Sequence, residues 1–242
     1  MAMNYEWKYF EFKEVGSTND KIREYCQSEG QCVVVRADTQ TAGRGRWGRS
    51  WQSAAGNLFF SAAFEFDIKE AGKLAFICSL SLLQALKKIA PSADILLKWP
   101  NDVLVNGKKI AGILSETSMQ GATFKGIALG IGVNLNTPQT LLDTIDKPAT
   151  SLSVELKKEI NRDEFLNSLV DEFFSGYDLF LKTGFSMIRD FYLNHASFLN
   201  TNINVNVLGN IESGCAVDIT QDGALILEKN NIRNTLLIGD IL

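Results

Sequence analysis

The stretch 38–51, DTQTAGRGRWGRSW, combines residue types that together bind anions. Its glycines and arginines alternate, in the order Gly43, Arg44, Gly45, Arg46, Gly48 and Arg49. Glycine allows backbone N–H groups to approach a ligand closely, and arginine carries a permanent planar charge that suits carboxylate and phosphate. Because like charges packed this densely repel one another, we predict that the loop binds an anion. A solvated, flexible basic turn is the alternative that this stretch alone leaves open.

Two nucleotide-binding motifs overlap the same stretch, and the residues that follow argue against both. Residues 43–48 match G-x-G-x-x-G, and residues 43–50 match a Walker A loop with Arg49 in the lysine position. Each motif requires a helix directly after the glycines, so that the helix N-terminus can hold phosphate. The run from Leu58 to Phe66 follows instead, and its aromatic residues predict a buried strand.

The composition is that of a globular protein without a global charge that would favour nucleic acid. The chain has 242 residues, of which 45% are hydrophobic and 21% charged, and its net charge is −4. This length suits one large domain and one small one. The acidic balance argues against a nucleic-acid partner. Because we find neither a signal pattern nor an apolar run long enough to span a bilayer, we expect no membrane partner.

Histidine and cysteine content narrows the possible mechanisms. His195 is the only histidine, which excludes a multi-histidine metal site, and no G-x-S-x-G motif accompanies it. We therefore predict no resident metal site and expect His195 at the surface or in a linker. The cysteines form no C-x-x-C pair, so we expect reduced, mostly buried thiols in a cytoplasmic protein. They are Cys26, Cys32, Cys78 and Cys215.

Hydrophobic periodicity and turn residues predict the elements that must position the arginine loop. The predicted strands are Lys8–Glu14, Cys32–Ala37, Leu58–Phe66, Ile95–Trp99, Val103–Val105, Lys109–Glu116 and Phe124–Asn134. The predicted helices run from the cap at Ser17 or Thr18 to about Glu29, from Glu70 to Ala90 and from Arg162 to Lys182. A shorter helix is predicted to follow and to end at about Leu193. Asn106-Gly107 favours a hairpin turn, and residues 136–153 are expected to form a loop.

Gly130 and Gly132 occupy alternating positions of one predicted strand. Residues two apart in a strand share a face, so these glycines remove side chains from that face. The bare surface has room for a flat ligand. A tightly packed sheet corner is the alternative reading.

The pattern of residues changes near Asn200, where short strands separated by turn signals begin. The runs are INVNVLG, CAVDITQDG, ALILEK and NTLLIGDIL, and Asp222-Gly223 favours a tight turn. They predict a small β barrel. We therefore predict an α+β fold with two domains, residues 1–194 and 195–242, the first built on a mixed sheet with packed helices.

Several short motifs occur together in one order, and in combination they resemble the biotin–protein ligases of bacteria. They are STND near the start, GRGRWGRSW, KWPND, GKKIAG, GIGVNLN and ATSL. The resemblance covers residues 9–152 and, more weakly, the small β domain. It implies a class II synthetase-like catalytic domain followed by an SH3-like barrel. We expect the monofunctional type, without the DNA-binding domain of the repressor members.

The resemblance implies an ATP-dependent ligase. Biotin would be activated as biotinyl-5′-AMP, and a lysine of a biotin carboxyl carrier protein, such as a subunit of acetyl-CoA carboxylase or of another biotin-dependent carboxylase, would then attack the mixed anhydride. Mg²⁺ would accompany ATP, held mainly by phosphate oxygens. The first step brings two anions together, which calls for clustered cations and an accessible backbone. A homodimer is also possible.

The resemblance further implies roles for individual residues. The biotin-binding set is Ser17, Thr18, Asn19, Gln40, Gly43, Arg44, Gly45, Arg46, Lys109, Gly112, Gly130 and Gly132. The ATP-binding set is Arg44, Arg46, Trp51 as a cover, Lys98, Asn101, Lys109 and Asn134 against adenine. The catalytic set is Arg46, Lys98, Asp102 and Lys109.

Within these sets, Arg46 and Lys109 would be shared between the biotin carboxylate and the α-phosphate. Gln40, with Ser17 or Thr18, would hydrogen-bond the ureido ring. Asp102 would orient or deprotonate the incoming amine. The glycines of the strands would let the biotin bicycle and the adenylate lie against the backbone.

Two other functions compete with this interpretation. A lipoate or octanoate ligase shares the catalytic architecture, but the GRGR loop paired with KWPND favours biotin. A non-enzymatic nucleic-acid-binding protein would use the arginine loop and the barrel as contact surfaces. The net charge of −4 argues against that second function, as does the lack of interleaved basic and aromatic residues in the barrel.

Overall fold

The computed structural model describes residues 8–29, 33–65, 70–117 and 126–242. The strands are β1 Lys8–Val15, β2 Val33–Gln40, β3 Leu58–Glu65, β4 Ile95–Lys98, β5 Asp102–Val105, β6 Lys108–Thr117, β7 Gly126–Val133, β8 Asn202–Val207, β9 Asn210–Ile219, β10 Leu225–Lys229, β11 Ile232–Leu236 and β12 Asp240–Ile241. The helices are α1 Thr18–Glu29, α2 Ala71–Ile89, α3 Gln139–Leu142, α4 Leu152–Leu156, α5 Arg162–Thr183 and α6 Phe185–Leu193. The α+β class is confirmed.

Seven strands form the main sheet, in the order β1-β2-β3-β7-β6-β5-β4. Strands β1 and β2 pair in parallel across the crossover helix α1, and the other neighbours pair antiparallel. The sheet is therefore mixed, as predicted. Its central strands are almost fully buried, which explains their continuous apolar runs.

Helices cover both faces of this sheet. On one face, α2 and α5 pack over apolar side chains such as Val34 and Phe60 in a large core. On the other, Ile22 of α1 packs against Val33 and Val35. The alternation along β2 follows from the two-residue period of a strand, which sends successive side chains to opposite faces.

A second sheet, antiparallel and in the order β11-β10-β9-β8-β12, forms the small β unit expected at the C-terminal end. The segment that leads from α6 to this second sheet is hydrogen-bonded to the main sheet. Leu97 N donates to His195 O at 2.8 Å, and Ser197 N donates to Leu97 O at 2.9 Å. The buried indole of Trp99 donates to Gly223 O at 3.0 Å. His195 lies half-buried in this linker, as predicted. The boundary at 194/195 stays a prediction.

The structure corrects several predicted details. Residues 136–153 are not a plain loop, because α3 and the start of α4 lie within them, and the Ser151 side chain caps α4 by accepting from Val154 N at 3.4 Å. The strand predicted to reach Trp99 ends at Lys98, before a turn. Phe66, Phe124, Cys32 and the Cys26 side chain lie outside the described residues. Cys78 is buried and Cys215 half-buried, both as free thiols.

Candidate active site

One cavity of about 530 Å³ lies where the arginine loop meets the glycine-bearing strands. Most of the expected site residues line it, namely Ser17, Thr18, Asn19, Gln40, Arg44, Gly45, Arg46, Trp51, Asn101, Asp102, Lys109, Gly112, Gly130, Gly132 and Asn134. The motifs that lie far apart in the chain therefore meet at one place.

Gly43 and Lys98 are the two expected residues that do not line the cavity. A Cβ at Gly43 would lie 2.5 Å from Ser53 Oγ and 3.0 Å from Gln40 Nε2, so this glycine permits close packing behind the wall. Lys98 ends β4 as a half-buried side chain, and this burial lowers the pKa of its ammonium, opposed by the charge of Asp102. The roles assigned to Gly43 and Lys98 stay predictions.

A buried polar cluster forms the end of the cavity at the start of α1. Gln40 Oε1 accepts hydrogen bonds from Thr18 N at 2.9 Å and from Thr18 Oγ1 at 3.2 Å. Ser61 Oγ lies 2.8 Å from Thr18 Oγ1 and 2.5 Å from Asn19 Oδ1, and its single hydrogen can be donated to either acceptor. These side chains are fixed by one another, which prepares them to hydrogen-bond a small polar ring.

The glycine floor is occupied by two side chains of this protein. Gly112 and Gly132 pair directly across β6 and β7. A Cβ would lie 2.9 Å from the Trp51 ring at Gly112 and 2.7 Å from it at Gly132, and a Cβ at Gly130 would overlap Asn19. The indole and an amide lie against these glycines here, and the expectation that the glycines make room for a flat ligand stays a prediction. The indole N–H of Trp51 is buried without a partner among the described residues.

A β-bulge places the lysine of the hairpin over this floor. The register between β5 and β6 shifts at Val103/Leu104, which leaves Ile110 as the additional residue. Lys109 and Gly112 thereby lie on the same face although they are three positions apart in the strand. Lys109 Nζ contacts Asp102 Oδ1 at 2.6 Å and lies 5.2 Å from the centre of the Trp51 ring.

Each arginine of the loop is neutralised by a carboxylate of the chain itself. Arg44 forms a two-pronged pair with Asp20, at 2.6 and 2.5 Å, while Arg46 and Arg49 share Asp240 at 2.9 and 2.8 Å. The repulsion between the arginines is therefore offset by carboxylates within the chain itself. The carboxylates come from distant segments, so an anionic ligand must compete with them or add to the cluster.

The Arg44 pair extends into a wider ionic network. Glu116 Oε2 accepts from Asn19 Nδ2 at 2.9 Å, from Arg23 at 3.1 Å and from Arg44 at 3.3 Å. The hydrogen bond with Arg44 lowers the pKa of Asp20, and in turn raises the pKa of Arg44. Arg44 is therefore held beside the cavity as a fixed cation that supports Asn19.

Arg46 is the most enclosed of the three arginines. Its side chain is 18% exposed, against 47% for Arg49, and its guanidinium also donates to Gly239 O at 2.9 Å. Burial lowers the pKa of Arg46, and the charge of Asp240 opposes this. Trp47, which lies between Arg46 and Arg49 in the sequence, adopts a left-handed conformation with φ 59° and exposes 54% of its surface. Trp47 thus faces solvent at the tip of the loop, away from the floor that Trp51 covers.

Two amides line the same cavity on the side of the hairpin. Asn101 Nδ2 donates to Ile113 O at 2.7 Å, and the buried Asn134 donates to Thr150 O at 3.2 Å. The contact of Asn134 with adenine stays a prediction.

Sequence reasoning missed the acidic partners and one wall of the cavity. Glu116 and Asp240 were not singled out, because nothing local marks them as counter-ions. The segment 144–149 also lines the cavity in part. It is attached by Lys109 N, which donates to Pro148 O at 3.0 Å, and by Thr150 N, which donates to Lys109 O at 2.9 Å. The ATSL motif, which begins at Ala149, was the available signal.

Metal and membrane features are absent from the described ranges. Within residues 8–29, 33–65, 70–117 and 126–242, no three His, Cys, Asp or Glu side chains are grouped closely enough to hold a metal ion. None of the helices that the structure describes combines the length and apolar content needed to cross a bilayer.

The cavity gathers the arginines of the loop and Lys109 beside a buried polar cluster, an arrangement that suits a ligand with both anionic and polar groups. The chain belongs to the biotin/lipoate A/B protein ligase family, whose model matches residues 10–134. The family expected from the sequence motifs is confirmed.

Individual relatives agree with this family. The chain is 36% identical to a biotin–[acetyl-CoA-carboxylase] ligase of Paracoccus denitrificans over 87% of its own length and 90% of that protein. It is 34% identical to the bifunctional ligase/repressor BirA of Bacillus subtilis over 88% of its own length, and spans 66% of that longer protein. Among solved structures, it is similar to the biotin protein ligase of Aquifex aeolicus in complex with biotin and ATP, with a TM-score of 0.82, 28% identity and 97% of each chain covered.

We predict that ligands protect the arginine loop from trypsin. Exposed ion pairs are weak, so Arg49, whose side chain is 47% exposed, holds the tip of the loop only loosely, and glycine adds backbone freedom. Cleavage of the protein alone should begin after Arg49, the most exposed arginine of the loop. Biotin with ATP should suppress cleavage more than biotin alone, because the adenylate adds a phosphate. Mass spectrometry of the fragments identifies each cleavage site. Equal cleavage in all states would show that the loop does not close over the site.

Proposed function

We propose that this protein activates biotin with ATP as biotinyl-5′-AMP and transfers it to a lysine of a biotin carboxyl carrier protein. The observation that carries the proposal is the meeting of Arg46 and Lys109 with the polar cluster of Thr18 and Gln40 in one cavity. The complex of the Aquifex aeolicus relative with biotin and ATP supports both substrates.

In the first step, the biotin carboxylate attacks the α-phosphate and pyrophosphate leaves. Arg46 and Lys109 hold positive charge where the carboxylate and phosphate approach, and they offset the repulsion between the two anions. Both are already oriented by carboxylates, Asp240 and Asp102. Their orientation before the substrates arrive lowers the cost of organising the site.

In the second step, the carrier lysine attacks the carbonyl carbon of the adenylate and AMP leaves. The amine must first lose its proton, and Asp102 is the carboxylate that lines the cavity beside Lys109. Lys109 contacts one oxygen of Asp102 at 2.6 Å, which positions the carboxylate to orient the incoming ammonium or to accept its proton. No covalent enzyme intermediate is required.

Mg²⁺ is expected to accompany ATP, held mainly by phosphate oxygens, and to neutralise part of their charge. Among the carboxylates that line the cavity, Asp102 contacts Lys109, and it is the candidate to contribute an oxygen ligand to Mg²⁺. A cytoplasmic location and homodimer formation stay predictions.

A lipoate or octanoate ligase is the second candidate, because the family's description names lipoate ligases beside biotin ligases. The polar cluster favours biotin, since Thr18, Gln40 and Ser61 offer a polar ring hydrogen-bonding groups that a simple alkyl chain cannot use. The test is exchange of labelled pyrophosphate into ATP with each acid in turn. The proposal expects exchange with biotin and none with octanoate, and the reverse result would refute it.

A further inference from the structure

Lys147 is a cation of the cavity that the family motifs did not point to. It lines the same cavity as Arg46 and Lys109 and is exposed to solvent. It precedes Pro148 and lies between the short helix α3 and the ATSL motif.

The backbone beside Lys147 is fixed to the reacting end of the cavity. Lys109 pairs with Ala149 in a parallel bridge, closed by hydrogen bonds from Lys109 N to Pro148 O at 3.0 Å and from Thr150 N to Lys109 O at 2.9 Å. Lys147 is thus one residue away from the hydrogen-bonded Pro148. The position of its backbone therefore follows that of Lys109, while its long side chain stays free to adjust.

The other cations of the cavity wall already have carboxylate partners. Arg44 pairs with Asp20, Lys109 with Asp102, and both Arg46 and Arg49 with Asp240, as given above. For Lys147 no salt bridge is present within the described ranges, although its neighbour Asp146 also lines the cavity. An anion can therefore bind Lys147 without displacing an existing partner.

We propose that Lys147 binds the outer phosphates of the nucleoside triphosphate, and so the pyrophosphate that leaves. This inference rests on the proposed function. The inner cations, Arg46 and Lys109, lie where the α-phosphate must react, and Lys147 lies at the solvent-exposed side of the same wall. A triphosphate that reacts at its α-phosphorus extends its β- and γ-phosphates away from the reacting carboxylate.

The electrostatics of Lys98 place Lys147 in the same field as the inner lysines. Burial lowers the pKa of Lys98 most, and the positive charges of Lys147 and Lys109 lower it further. The negative charges of Asp102 and Asp240 oppose this. Three lysines therefore act on one region, and a polyphosphate with several charges suits them better than a single carboxylate does.

The position of the polar cluster argues against the biotin carboxylate as the partner of Lys147. Thr18 begins α1 and Gln40 ends β2. The segment that carries Lys147 is instead anchored to the hairpin of β5 and β6. The substrate bound by the polar cluster thus presents its carboxylate to Arg46 and Lys109 before it reaches Lys147.

The experiment compares Lys147→Gln with Lys158→Gln by biotin-dependent pyrophosphate exchange, with ATP, biotin and pyrophosphate each titrated. Lys158 is a matched control, because it is exposed and does not line the cavity. For Lys147→Gln we expect the KM for ATP and the half-saturating pyrophosphate concentration to rise about fivefold to tenfold, as for loss of one partly exposed charged contact. The KM for biotin should stay within about twofold of the unmodified protein. Lys147→Arg should retain the affinity of the unmodified protein for ATP and for pyrophosphate.

Salt provides a second readout that a purely structural role would not change. The difference between Lys147→Gln and the unmodified protein should shrink as ionic strength rises well above ~0.15 M, because exposed charges are then screened. If Lys147→Gln matches Lys158→Gln in every titration, the inference is wrong while the proposed function stands. If the unmodified protein itself shows no biotin-dependent exchange, the proposed function is wrong, and the Lys147 inference falls with it.

Discussion

Replacing Lys109 with alanine is expected to lower the rate of adenylate formation by about 10²–10³-fold (~3 kcal/mol), the usual loss for one preorganised charged contact at a reacting centre. Lys109 Nζ lies between Asp102 and the Trp51 ring, where the α-phosphate must be neutralised. Its side chain is 31% exposed, so the change leaves no large void and folding should be retained. Single-turnover formation of biotinyl-5′-AMP, followed by mass spectrometry, measures the effect.

Lys108→Ala is the matched control, because Lys108 is the exposed residue directly before Lys109 and does not line the cavity. It should change the rate by less than about threefold, as expected for a surface charge outside the site. A Lys109→Ala protein with near-normal adenylation would show that Lys109 is not a working cation. Thermal unfolding of each variant separates a catalytic loss from a loss of structure.

Replacing Arg46 with alanine is expected to reduce adenylate formation by a similar factor of about 10²–10³. Arg46 is the enclosed arginine of the loop, and it also ties the loop to the second sheet through Asp240 and Gly239 O. Asp240 keeps Arg49 as a partner in this variant, so no buried carboxylate is left unpaired. The loss should therefore fall on the reaction rather than on the fold.

Arg49→Ala tests whether the position or merely the charge of the loop matters. Arg49 shares the same carboxylate, but its side chain is 47% exposed. We expect a loss below about tenfold, since its pair is largely solvated. Equal losses for Arg46→Ala and Arg49→Ala would contradict a specific role for Arg46 and favour general anchoring of the loop by both arginines.

The parts of the site that were predictable are those marked by local sequence. The glycines of β7, the Asn106-Gly107 turn and the arginine loop each carry a conformational or chemical constraint within a few residues. The strands of the main sheet followed from their apolar periodicity. These local signals indicate the arginine loop and the glycine-bearing strand, and the resemblance to the ligase family implies the other predicted residues of the cavity wall.

The parts that were not predictable depend on residues distant in the chain. Asp240 lies more than 190 positions after Arg46, and no local pattern marks it as a partner of the loop. The bulge at Ile110, which brings Lys109 over Gly112, is likewise set by pairing between strands. The placement of Trp51 on the glycine floor needed the three-dimensional packing, since the same bare strand suits either a ligand or an indole.

The most direct test of the proposed function is the intact mass of a biotin carboxyl carrier domain after incubation with this protein, biotin and ATP. The account predicts a gain of one biotinyl group on a single lysine, abolished when ATP is omitted or when that lysine is replaced by arginine. A carrier that stays unmodified with biotin but gains an octanoyl or lipoyl group from the corresponding acid would contradict it.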